Sequence, residues 1–204
     1  MIIDPGSMPW RDAYKLMVGS ILPRPIAWVS TVSPEGVLNL APFSFFTAVA
    51  PDPMTICFSP MRRGTDGAKK DTLANIEATG EFVVNIASER LAEAMNVTAA
   101  EFAPEVNEFA EAGLTPMPSV TVKPPRVAEC LVAYECKLLQ VIAVGEARAG
   151  GGALVLGTVQ RLFVADEVVE EGRIKLDLLQ PIGRMAGNDY VRCTDRFTLT
   201  RPTK

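Results

Sequence analysis

From Glu129 to Ile142 the charged residues Glu129, Glu135 and Lys137 alternate with Cys130, Val132, Tyr134, Cys136, Leu138 and Ile142. A period of two is the signature of a β-strand with one wet face. The stretch Gly145–Gly152 (GEARAGGG) then turns the chain into a second long extended run, Ala153–Val164. Two long strands joined by a hairpin commit this chain to an antiparallel, mainly β architecture. On such a strand Cys130 and Cys136, an even number of residues apart, share a face.

The N-terminal half follows the same cadence. Ile26–Val32 is apolar and β-branched, and Pro23-Arg24-Pro25 before it forces an extended approach. Ser33-Pro34-Glu35-Gly36 reads as a turn, Val37–Phe46 as a second extended run, Pro51-Asp52-Pro53 as a break and Met54–Ser59 as a third strand. That order predicts an antiparallel meander. The pattern changes at 71–78, where Asp71 or Thr72 would cap a helix that Thr79-Gly80 ends, and Phe82–Ile86 resumes as strand. Residues 88–112 are acidic and Ala-rich, predicting two short helices broken at Pro104. The four prolines of 113–126 keep that segment extended and irregular. Six or so antiparallel strands with a mid-chain helical insertion close into a barrel or stack as a sandwich. Without repeats or low-complexity linkers, the 204 residues are expected to form one domain, 1–204.

Composition narrows the chemistry. There is no histidine, which removes Ser-His-Asp and Cys-His nucleophiles, HExxH zinc sites and imidazole proton shuttles. Carboxylate, lysine, tyrosine or thiol chemistry remains, or a cofactor that brings its own reactivity. The four cysteines form no CxxC pair, so no metal site is expected and buried free thiols are. Twenty Lys+Arg against 24 Asp+Glu leave a net charge of −4, against a nucleic-acid partner. No apolar run approaches a membrane span and the start lacks a signal-peptide pattern, so a cytoplasmic protein with no membrane partner is expected.

Three segments are candidate sites. In the loop 59–72, Arg62, Arg63, Lys69 and Lys70 and two glycines precede a helix start, where free N–H groups and the helix dipole favour an anion. The order is not GxxxxGK[ST], so this is no Walker loop. Asn39–Thr47 sets an Asn, a Ser and a Thr among three phenylalanines; Pro42 demands an edge or a bulge, freeing backbone groups for a planar polar ligand. Pro181–Tyr190, with Arg184 and two glycines, could cap a pocket.

Read together, Pro23-Arg24-Pro25-Ile26-Ala27-Trp28-Val29-Ser30-Thr31, Asn39-Leu40-Ala41-Pro42-Phe43-Ser44-Phe45-Phe46 and Lys70-Asp71-Thr72 with Asn75-Ile76 resemble the flavin reductase-like family with the FMN-binding split-barrel fold. Glu81–Asn85, Pro124–Val127 and Gly183-Arg184 with Tyr190 continue the resemblance in the same order, over about residues 14 to 192. The resemblance implies an antiparallel Greek-key split β-barrel with short helices inserted mid-chain and near the C-terminus. It also implies a homodimer with FMN near the interface. On that resemblance Asn39, Ala41, Pro42, Phe43 and Ser44 border the flavin ring and ribityl chain, with Ser44 near flavin N5 as the catalytic candidate. Ser59, Arg62, Lys70, Asp71 and Thr72 surround the phosphate, Arg24 and Trp28 are further neighbours, and Arg184 and Tyr190 cap the ring.

The implied function is an NAD(P)H:flavin reductase with NADH or NADPH as hydride donor and a flavin-dependent partner enzyme or other electron acceptor downstream. The alternatives are a non-catalytic electron carrier of the flavoredoxin kind and a structural barrel without ligand.

Overall fold

The long hairpin forms the two longest strands of a seven-stranded antiparallel sheet. The computed structural model describes residues 1–203. In chain order it contains α1 (Trp10–Ser20), β1 (Ala27–Val32), β2 (Leu38–Phe43), β3 (Phe46–Pro51), β4 (Met54–Phe58), α2 (Asp71–Thr79) and β5 (Glu81–Ile86). There follow α3 (Ala92–Val97), α4 (Glu108–Glu111), β6 (Pro116–Met117), β7 (Arg126–Val127), β8 (Val132–Val144) and β9 (Gly152–Val164). The pair β10 (Val169–Glu170) and β11 (Arg173–Ile174), the single turn α5 (Leu176–Leu179) and the hairpin β12 (Ile182–Arg184) and β13 (Tyr190–Arg192) complete it.

The main sheet runs β2-β1-β5-β8-β9-β4-β3, so the meander expectation fails. β1 pairs with β2 and β3 with β4, but β2 and β3 stand at opposite ends of the sheet. What reads as one extended run to Phe46 turns at Ser44-Phe45, and β3 continues to Pro51. Two residues therefore bring the sheet's ends to one corner, with no β2–β3 ladder among the described residues. Pro42 sits opposite Trp28 on the edge strand, where a missing N–H costs no sheet bond.

Two apolar clusters hold the fold. Ala27, Val29, Phe43, Phe58, Phe82 and Val155 pack on one side of the sheet beneath Leu73 and Ile76 of α2. Trp28, Leu40, Met95, Phe109, Val127 and Cys130 pack on the other, beneath α3 and α4. Cys136 belongs to the first cluster, so it does not share a face with Cys130, which precedes the strand. Glu135 is not wet either: it is 3% exposed, because 119–122 folds over it. There the Val120 and Thr121 amides and the Thr121 hydroxyl donate to its carboxylate.

Local signals fare unevenly. Gly80 ends α2 in the left-handed region (φ 72°), as a helix-terminal glycine does. The N-cap, however, is Lys70; Asp71 lies inside the helix and no side chain caps it. α1 was not anticipated, although Trp10, Tyr14, Met17 and Val18 recur at helical spacing. The acidic stretch yields α3 and α4 with an irregular interval around Pro104, and 113–126 holds only the short β6 opposite β7. Among the described residues no helix is long and apolar enough to cross a membrane.

Candidate functional site

Of the four cations in the loop ahead of α2, three are consumed by the fold. Arg62 donates to the Gly67 carbonyl at 2.9 Å, Arg63 pairs with Asp71 at 2.7 Å and Lys69 pairs with Glu77. Lys70 alone makes neither an ion pair nor a side-chain hydrogen bond among the described residues. It stands at the uncapped start of α2, where the first helical N–H groups lack intrahelical acceptors. Its side chain lines two small cavities. One is about 150 Å³, bounded by Pro42, Phe43, Ser44, Phe45, Ser59 and Tyr14 among others. The second, about 30 Å³, lies between Asn39, Ala41, Asp71, Thr72 and Glu108.

Ser44 is held by Arg24, which is 4% exposed and makes no salt bridge among the described residues. The guanidinium donates through Nη1 to the Val18 and Ile21 carbonyls, through Nη2 to Met185 and through Nε to Ser44 Oγ at 3.3 Å. It thereby ties the end of α1, the β2–β3 corner and the C-terminal hairpin together. Burial is the main influence on Arg24 and pulls its pKa below the usual arginine value. Because arginine only donates, the Ser44 oxygen is the acceptor, and the hydroxyl hydrogen is left for another partner.

A buried polar chain fixes the other wall. Asn75 donates to Thr31, and Thr31 and Thr72 both donate to Asn39 Oδ1, Thr72 at 2.8 Å. Asn39 Nδ2 and the Leu40 amide then donate to the two oxygens of Glu108. Desolvation dominates at Glu108 and raises its pKa, opposed by these hydrogen bonds, while Asp71 adds to the rise. The chain locks α2 against β2, so the spacing between helix start and edge strand is set from within the core.

The structure therefore gathers Asn39, Ala41, Pro42, Phe43, Ser44, Ser59, Lys70, Asp71 and Thr72 around adjoining cavities. Five other candidates lie elsewhere. Trp28 is fully buried, its indole N–H on Thr98, so its ring is core; Arg24 likewise offers the cavity no side chain except through Ser44. Arg62 closes its own loop. Arg184 lies over the Tyr190 ring at 4.6 Å and donates to Gly187 within the C-terminal hairpin, which joins the fold through the Arg24–Arg184 backbone pair. Sequence reasoning missed Tyr14 and Met61, which also line the larger cavity. The helical spacing of α1 could have pointed to Tyr14; nothing local marks Met61.

The donor set suits a ligand with an anionic end and a planar polar ring. One cavity lining combines the Lys70 side chain at an uncapped helix start and the hydroxyl residues Ser59 and Ser44 with Pro42, Phe43 and Phe45. Among the described residues there is no His/Cys/Asp/Glu group able to hold a metal ion.

Comparison with known proteins places residues 18–180 in a match to the flavin reductase like domain. Nitrilotriacetate monooxygenase component B from Bacillus cereus is 40% identical, with 98% of each chain covered and a TM-score of 0.92. The 2-nitrobenzoate 2-nitroreductase NbaA of Pseudomonas fluorescens is 35% identical over 100% of this chain and 97% of its own, with a TM-score of 0.87. A protein with a split barrel domain from Shewanella frigidimarina, 20% identical over 97% of this chain and 96% of its own, shares the fold at a TM-score of 0.82.

Proposed function

The chain belongs to the flavin reductase-like domain family, and from that premise we propose that it is an FMN-dependent NAD(P)H:flavin reductase serving a second flavin or a partner enzyme. One observation carries the reading: Lys70, the one cation of the loop whose side chain has no partner among the described residues, lines both cavities at an uncapped helix start. The Lys70 ammonium, the first amides of α2 and the Ser59 hydroxyl would hold the phosphate. Ala41 to Ser44 and Phe45 would border the ring. Bound there, FMN would supply a two-electron centre able to take hydride from NADH or NADPH and pass electrons to an acceptor. Ser44 would act as a hydrogen-bond donor to the ring, since Arg24 donates to its oxygen. Asn39, Thr72 and Glu108 keep the two ends of the site at a fixed separation.

At about 150 Å³ the Ser44 cavity is below the roughly 300–1,000 Å³ usual for a ligand site. A second copy of the chain would deepen it while covering the open edges of β2 and β3, so the working form is proposed to be a homodimer.

The test is an FMN titration of wild type and Lys70→Ala, followed by anaerobic addition of NADH and of NADPH to the loaded protein. Lys70→Ala is expected to weaken FMN binding by about 1–3 kcal/mol, and wild-type flavin to bleach within the mixing time. Unchanged FMN affinity removes Lys70 from the site. A persistent oxidised spectrum supports the electron-carrier alternative, and protein that takes up no FMN overturns both.

A further inference from the structure

A concavity larger than the one Ser44 lines adjoins this site. A cavity of about 590 Å³ lies between α1 and the β8–β9 loop, within the size range of small-molecule sites. It shares Tyr14 and Met61 with the Ser44 cavity, so the two adjoin at these residues. Trp10 and Met17 add an aromatic and a thioether wall. The wall is held in place on purpose-built backbone: Gly150 adopts φ +96°, and a Cβ there would stand 2.9 Å from Trp10 Cγ, so only glycine lets the loop reach the indole. Arg11 reinforces it, its guanidinium 4.5 Å from the Trp10 ring centre and hydrogen-bonded to the Gly64 carbonyl.

The charge of this cavity is positive on its lining. Arg148 is its one cation, and its only side-chain partner among the described residues is Glu146, two residues away in the same exposed loop. An ion pair that exposed contributes little, so a ligand carboxylate can take the guanidinium over at small cost.

We propose that this cavity is the second-substrate site, and that it takes a planar aromatic bearing an anionic group, ring against Trp10 and Tyr14 and anion toward Arg148. The proposal rests on the reading of the Ser44–Lys70 cavity as the flavin site, because adjacency at Tyr14 and Met61 is what would bring the aromatic near the reactive ring. Its test does not depend on flavin.

The readout is tryptophan fluorescence, since Trp28 is fully buried and Trp10 lines the cavity. Purified protein, with and without added FMN, is titrated with 4-nitrobenzoate and with the neutral isostere 4-nitrobenzamide. Saturable quenching by the carboxylate is expected, with the amide weaker. Arg148→Ala should reduce the carboxylate's affinity roughly tenfold and leave the amide's unchanged. Ala13→Phe, which fills the cavity from α1, should abolish saturation, with circular dichroism confirming the fold. No saturable quenching, equal affinities for the two probes, or indifference to both substitutions overturns the proposal. So does a dimer that Ala13→Phe dissociates, which would assign the cavity to a second copy of the chain. Failure of FMN to bind while the carboxylate still saturates Trp10 would instead count against the flavin reading alone.

Discussion

Glu135 shows how far a single residue's environment departs from its place in a pattern. Burial pushes its carboxyl up, yet the Thr121 hydroxyl, the Val120 and Thr121 amides and nearby Arg161 together hold it below the ordinary 4.5. A carboxyl lowered in the folded state binds its proton more weakly there than in the unfolded chain. Its stabilisation is complete above pH 4.5 and disappears as pH falls through the folded value. Glu135→Gln should therefore cost about 1–3 kcal/mol near neutrality and less near pH 3, as read by urea unfolding at both. Parallel losses at the two pH values would remove the ionised carboxylate from the account. Period-two alternation identified the face that Glu135 and Lys137 share. Lys137 is exposed as expected, but a face is wet only where nothing else covers it, and the segment that covers Glu135 comes from a proline-rich stretch with no periodic signal.

Among the elements, β9 carries a constraint that strand propensity conceals. Gly157 sits opposite Ile56 on one side and Leu138 on the other. A Cβ there would fall 2.3 Å from Phe82 Cζ and 3.3 Å from Cys136 Cβ. Phe82 is fully buried and has no room to retreat, so Gly157→Ala should destabilise the fold by about 1–3 kcal/mol through overpacking. Denaturant midpoints check it; a neutral or stabilising alanine would mean that the sheet relaxes around the methyl. The strands themselves were readable because β-branched runs, Pro breaks and turn residues act on their immediate neighbours. Their pairing was not. Val37–Phe46 gave no sign that the chain turns at Ser44-Phe45 to join opposite ends of the sheet, because that turn is set by partners in β1 and β4 rather than by local propensity.

For the whole molecule, the adjoining cavities and the two open sheet edges bear on assembly. β2 and β3 each leave one side unpaired, and Val49, Leu139 and Val144 are exposed apolar residues near the sheet's margins. Light scattering on the purified protein should return the mass of two chains; the mass of one would remove the homodimer and leave the Ser44 cavity open to solvent. The motifs that mark the family, and the basic loop before α2 with it, were legible in the chain because they are contiguous segments whose residue types carry their own chemistry. Which of four clustered cations stays free was not, since Arg63 and Lys69 find their acids only once α2 is folded behind them. Nor could the chain alone reveal that Trp28 is core, or that Arg24 reaches across 161 positions to Met185 and holds Ser44. Local order follows from interactions between near neighbours; burial and pairing depend on residues brought together from distant parts of the chain, and those contacts choose the residues left to meet a ligand.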